Sequence, residues 1–147
     1  MPQVVNAFPS RNIKLPYAPV PENAIKLAEN FREIVNPALN YTPESLAFVE
    51  VFIEQCRASG KTVDDYAETL FCAGCYFGQV IARNLAGKWL LAVQVLAGIP
   101  PGTVIMPIVL VIKVNELVDP IARAYQRFSN GDIDSLLDLY EHLAKGK

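Results

Sequence analysis

Trp89–Ile112 reads WLLAVQVLAGIPPGTVIMPIVLVI and contains no charged residue. Lysines bracket it at Lys88 and Lys113. A helix crossing a bilayer needs about 20 such residues, so this stretch decides between a membrane span and a buried sheet. Pro100-Pro101-Gly102 falls near its middle, and tandem proline with glycine marks a turn. The two flanks are rich in valine and isoleucine, which favour strands. The stretch therefore reads as two buried strands, about 88–97 and 103–112, joined by a tight loop. Neither strand alternates cleanly between apolar and polar, which implies burial on both faces. Pro107 cannot donate to a ladder, so an edge or a bulge is expected there.

Helices are expected on either side of this hairpin. Upstream, Leu70, Gly74, Gly78 and Ile81 lie on a helix over 62–85, with Thr62 and Asp65 as a capping-box pair. Its roughly 23 residues span about 34 Å, enough for a central post, and Gly87 is placed to terminate it. Before it, Thr42 and Pro43 open a helix carrying Leu46, Val49, Phe52, Ile53 and Cys56, which Gly60 closes. A first helix over 22–35 carries Ala24, Leu27, Ala28, Phe31, Ile34 and Val35 at helical spacing. Downstream, Asp119-Pro120 starts a helix that Asn130-Gly131 stops. Asp132 is expected to cap a last helix with Ile133, Leu136, Leu137, Tyr140 and Leu143 facing inward. The sum is an α+β fold: about five helices packed on a small antiparallel hairpin or sheet in a single domain, 22–147. Residues 1–21 carry five prolines and form an arm that docks on the body, reaches another subunit or frays.

The 147 residues suit one domain with a sizeable core. Apolar residues make up 52% and charged residues 19%, a greasy balance that calls for a large core or a covered surface. A net charge of −2 without a basic block argues against nucleic-acid partners and against anionic lipid surfaces. The N-terminus lacks a secretory signal pattern. Three cysteines suit a reducing cytoplasm better than a disulfide framework.

The segment Gly74-x-x-x-Gly78-x-x-Ile81-x-x-Asn84-Leu85-x-Gly87-x-Trp89, with the later Asp119-Pro120 and Asn130-Gly131-x-x-Asp134-Ser135-Leu136, resembles small bacterial domains of unknown function. The resemblance covers about residues 62–140. It implies a compact α+β domain whose post helix leads into a strand, and it implies no activity.

No stretch carries a specific catalytic motif. Cys72 and Cys75 form a C-x-x-C, but about ten residues into a helix, away from the N-terminal dipole that a redox pair uses. Cys56 and His142 lack the spacing to complete a zinc site with them, so all three cysteines read as core residues and neither metal nor cofactor is expected. His142, the only histidine, lies near a helix C-terminus. Arg123 and Arg127 share a face one turn apart, either as a solvated face or as an anion site together with Arg83 and Asn84. Gly74 and Gly78 each cost about 1 kcal/mol against alanine in a helix, so close packing or a ligand groove must offset them. The ligand or interface candidates are Gly74, Tyr76, Gly78, Arg83, Asn84 and Trp89.

Three functions fit. The first is a cytoplasmic, non-enzymatic protein-interaction module, adaptor or immunity-like, with a protein partner or a second copy in a homodimer. The second is a small-molecule binding protein or enzyme with a pocket between helix 62–85 and the 88–112 hairpin. The third, membrane association through 89–112, is disfavoured by the Pro-Pro-Gly break.

Overall fold

The central helix is apolar enough to be buried on every side, and the fold is arranged around it. In a computed structural model, which describes residues 8–95, 105–113 and 116–145, five α-helices pack together with a three-stranded antiparallel sheet, which lies chiefly against α3 and α4. The helices are α1 Ala24–Val35, α2 Leu46–Ala58, α3 Ala67–Leu85, α4 Pro120–Asn130 and α5 Leu136–Lys145. The strands are β1 Lys88–Leu91, β2 Ile108–Ile112 and β3 Glu116–Val118. Every residue of α3 from Leu70 to Ile81 is buried, as a helix covered on all faces must be. It packs chiefly against α1 and α4.

The α3 start is built as the sequence suggests. The Asp65 carboxylate accepts the backbone N–H of Thr62 at 2.9 Å and its hydroxyl at 3.1 Å, ahead of a 3-10 turn over Val63–Tyr66. Its end differs. Ala86, not Gly87, takes the left-handed conformation at φ +58°, and the Gly87 N–H closes the turn on the Ala82 carbonyl at 3.0 Å.

The two strands pair antiparallel, with Trp89 opposite Leu110 and Leu91 opposite Ile108. β1 is shorter than expected because the chain leaves it for a 3-10 turn over Ala92–Gln94. The connection expected around Pro100–Gly102 lies outside the described residues. A third strand, which the sequence did not suggest, pairs Val118 with Leu110 and Leu117 with Val111. β2 is thus central and wholly apolar, with four of its five residues buried. Pro107 makes neither an edge nor a bulge within it. It precedes β2 by one residue and joins the ladder through its carbonyl, which accepts the Ala92 N–H at 2.8 Å.

Asp119 ties this sheet to α4. One carboxylate oxygen accepts the Ala122 N–H at 3.1 Å, and the other accepts the Met106 N–H at 2.9 Å. The helix that follows ends at Gly131, whose φ of +80° suits glycine. Asp132 does not cap α5. Gly131–Asp134 forms a 3-10 turn, and Ser135 does the capping, its Oγ accepting the Asp138 N–H at 3.2 Å. Ile133, expected inside, is 78% exposed on that turn.

Candidate interaction site

Three of the six candidate residues meet at one backbone position, Tyr41, in the connection between α1 and α2. Tyr41 has φ +61°, an uncommon left-handed conformation for a non-glycine residue, so its surroundings must hold it there. The buried Tyr76 hydroxyl accepts the Tyr41 N–H at 2.9 Å. The Asn84 amide donates to the Tyr41 carbonyl at 3.0 Å and to the Val80 carbonyl at 2.8 Å. The Arg83 guanidinium lies 3.9 Å from the centre of the Tyr41 ring, in cation–π range. Tyr76 stacks on the same ring, with centroids 4.8 Å apart.

The chain of donors runs further. Ser45 Oγ donates to the Thr42 carbonyl at 2.6 Å, so the 2.6 Å contact between Tyr76 and Ser45 has Tyr76 as its donor. Glu29 of α1 accepts the Tyr41 hydroxyl. This bond, ahead of the nearby Arg32, holds the Glu29 carboxyl below its ordinary range. Burial pushes the Tyr41 phenol well up. Arg32 closes the loop by donating to the Leu39 and Pro37 carbonyls. Tyr76, Arg83 and Asn84 therefore clamp the α1–α2 connection onto α3 and set how those helices lie.

The other three candidates form a close-packed seam. A Cβ on Gly74 would lie 2.5 Å from the Cα of Ile121, and one on Gly78 would lie 2.4 Å from the Trp89 ring and 2.8 Å from Pro120. The space beside both glycines, where a ligand pocket was one expectation, is filled by Trp89, Pro120 and Ile121. The Trp89 indole N–H finds a partner in Gln79 Oε1 at 3.2 Å. Gln79 is itself buried.

Neither arginine of α4 faces an open anion site. Arg123 contacts Asp134 at 3.7 Å and the Ser135 carbonyl at 3.0 Å. Arg127 is buried between Glu50 and Glu54. Cys56, Cys72 and Cys75 are all buried and reduced. Burial pushes the Cys72 thiol up to about 12 and that of Cys75 well above its ordinary value. Since the thiolate is the reactive form, a thiol reagent at pH 8 is expected to leave all three unmodified in the native protein and to label all three in urea. Rapid labelling of Cys72 or Cys75 without denaturant would contradict their placement. Among the described residues no group of three or more His, Cys, Asp or Glu side chains is placed to hold a metal ion. None of their helices is long and apolar enough to cross a membrane.

What the clamp at Tyr41 positions is an apolar surface that sequence reading missed. A groove of about 560 Å³ runs between α1, α2 and α3, lined by Val35, Phe48, Phe52, Gln55 and Tyr66 among others. Among its lining residues Ile34 is 70% exposed and Phe48 37%, and Val51, one turn after Phe48 on α2, is 56% exposed. Ile34 shares the helical spacing of the apolar residues of α1 but is exposed, while its neighbour Val35 packs against the core. The available signal was the width of the apolar surface of α2. Leu46, Val49, Ile53 and Cys56 make one buried stripe, and Ala47, Phe48 and Val51 add a second, exposed one. A surface helix normally needs only the first.

Comparisons with protein-family models, with curated proteins and with solved structures return no match.

Proposed function

We propose that the protein is a non-enzymatic interaction module that works through the α1–α2 surface, with a second copy of itself as the partner. The observation that carries this reading is the exposure of Ile34 and Phe48 at one groove, continued along α2 by the exposed Val51. Large apolar side chains scattered singly are ordinary, whereas a contiguous patch marks an interaction site. The exposed stripe of α2, Ala47, Phe48, Val51 and Gln55, carries no charge. Two copies that meet along this stripe, related by a two-fold axis, bring no like charges together within it, as a self-complementary interface requires. The clamp on Tyr41 supports the same reading, because it fixes the geometry of the surface before any partner arrives and so lowers the ordering cost of association.

Sedimentation velocity over a concentration series tests it. The wild type is expected to form a dimer, and Val51→Glu is expected to weaken it at least tenfold, about 1.4 kcal/mol. A protein that stays monomeric at the highest soluble concentration would exclude the second copy as partner. A dimer indifferent to Val51→Glu would place the contact elsewhere.

A further inference from the structure

The N-terminal arm has no regular structure of its own from Phe8 to Val20, yet its contacts with α3 and the turn before it are specific. The Ser10 N–H and hydroxyl donate to the two oxygens of Asp64 at 2.8 and 2.6 Å. Arg11 forks onto both oxygens of Glu68 at 2.9 and 3.0 Å and reaches the Asp64 carbonyl at 2.8 Å. The Lys14 N–H also donates to Glu68, at 3.1 Å. Between these polar contacts Ile13 and Leu15 turn inward while Asn12, Lys14 and Pro16 turn outward, the two-residue alternation of an extended chain. Phe8 meets the Tyr125 ring at a centroid distance of 6.1 Å. Beside the arm lies a groove of about 750 Å³ lined by Phe8, Ile13, Leu15, Phe71 and Met106 among others.

This is how a domain reads an extended peptide: carboxylates take backbone N–H groups and a guanidinium, and apolar pits take alternate side chains. We propose that this surface of α3 is a docking site for an extended partner segment of the form aromatic-Pro-Ser-Arg-x-aliphatic, and that the chain's own arm occupies it as an internal competitor. The arm shows which chemistry fits. Its hold is also of a kind that releases. Arg11 is 46% exposed and Glu68 32%, and exposed ion pairs contribute little and weaken with salt. A tether of this length presents the arm at an effective concentration of about millimolar, so a partner segment gains access whenever the arm's own contacts are weakened. The site adjoins the α1–α2 groove, since Leu15 and Glu68 share a pocket with Ile34 and Val35, but its polar contacts are made by Asp64 and Glu68 and do not depend on self-association.

The test uses the full chain and a fluorescent peptide with the sequence of residues 8–17, read by anisotropy. Arg11→Glu sets a carboxylate against Glu68 and frees the site. The peptide is expected to bind this variant at least tenfold tighter than the wild type, because the competing arm is gone. Adding Glu68→Arg to Arg11→Glu restores a complementary pair within the chain and is expected to abolish peptide binding. Ile13→Ser loosens the arm without a charge change and is expected to raise affinity in the same direction; it stands in should Arg11→Glu fold poorly by circular dichroism. Equal binding to wild type and both arm variants would overturn the proposal, and so would binding that ignores Glu68. Val51→Glu is expected to leave peptide affinity unchanged, which separates this site from the dimer surface.

Discussion

Gly74→Val is expected to destabilise the protein by more than about 3 kcal/mol, and Gly74→Ala by about 1–2 kcal/mol. The sign of the second value is the informative one. In an exposed helix, alanine for glycine gains about 1 kcal/mol. At Gly74 the new Cβ would meet the Cα of Ile121 at 2.5 Å, and a backbone atom cannot swing aside as a side chain can. α4 must retreat as a unit. That loosens the buried contacts it shares with α3, including the 2.7 Å bond from the Tyr125 hydroxyl to the Ala67 carbonyl. Gly78→Ala is expected to cost less, because its obstacles are side-chain atoms of Trp89 and Pro120 rather than a backbone atom, and the Trp89 ring can tilt. Trp89→Phe removes the ring atoms in the way, so the pair Gly78→Ala/Trp89→Phe should fall short of the sum of the single effects. Urea midpoints at constant m-value measure all of these. A Gly74→Ala protein more stable than wild type would show that α3 and α4 are not in backbone contact there.

The elements that were legible in the sequence are those with local chemistry. Thr42-Pro43, Thr62 with Asp65, Asp119-Pro120 and Gly131 mark helix ends because hydrogen bonds and φ preferences act within a few residues, and each sits at a helix boundary. The central post and β2 were legible because uninterrupted apolar sequence has few places to go but the interior; β1 pairs with β2 as expected, but it is only half-buried from Trp89 to Leu91 rather than covered on both faces. What escaped depends on partners distant in sequence. β3 is three residues long and exists only because β2 offers it an edge. Ser135 rather than Asp132 opens α5, since Glu50, 87 residues before Leu137, fixes that turn through the Leu137 N–H.

The candidate site was legible in part for the same reason. The two glycines and Trp89 announced a close approach, and a seam is what they form. Tyr76, Arg83 and Asn84 were singled out as polar residues on the post helix, but nothing local pointed to Tyr41, whose role rests on a left-handed φ and on contacts 35 and 43 residues away. The exposed apolar surface was hidden by a one-stripe reading of α1 and α2. Periodicity says which residues share a broad face; it does not say how much of that face the body covers, and Ile34 lies at its uncovered edge while Val35 packs inward.

Arg127→Met is expected to cost about 3–5 kcal/mol, the range for breaking a buried ion pair by removing one partner. The Arg127 side chain is 6% exposed, and its Nε lies 2.7 Å from Glu50, itself only 13% exposed. Glu50 does more than answer one charge. Its second oxygen accepts the Ser135 hydroxyl at 2.5 Å and the Leu137 N–H at 3.0 Å, so a single carboxylate of α2 holds both α4 and the first turn of α5. Removing Arg127 strands that carboxylate in a dry site. Glu50→Gln in the same chain removes the stranded charge while keeping one acceptor oxygen, so the double variant should be more stable than Arg127→Met alone. Glu54 also faces Arg127, at 2.8 Å, but is 44% exposed; water replaces what Glu54→Gln removes, and only a small effect is expected. Hydrogen exchange distinguishes this account from a general loss of stability. In Arg127→Met the amides of the first turn of α5, Leu137 above all, should lose protection beyond the global change, whereas those of α3 should follow the global change alone. Uniform loss across both helices would mean that Glu50 contributes packing rather than the link between α2, α4 and α5.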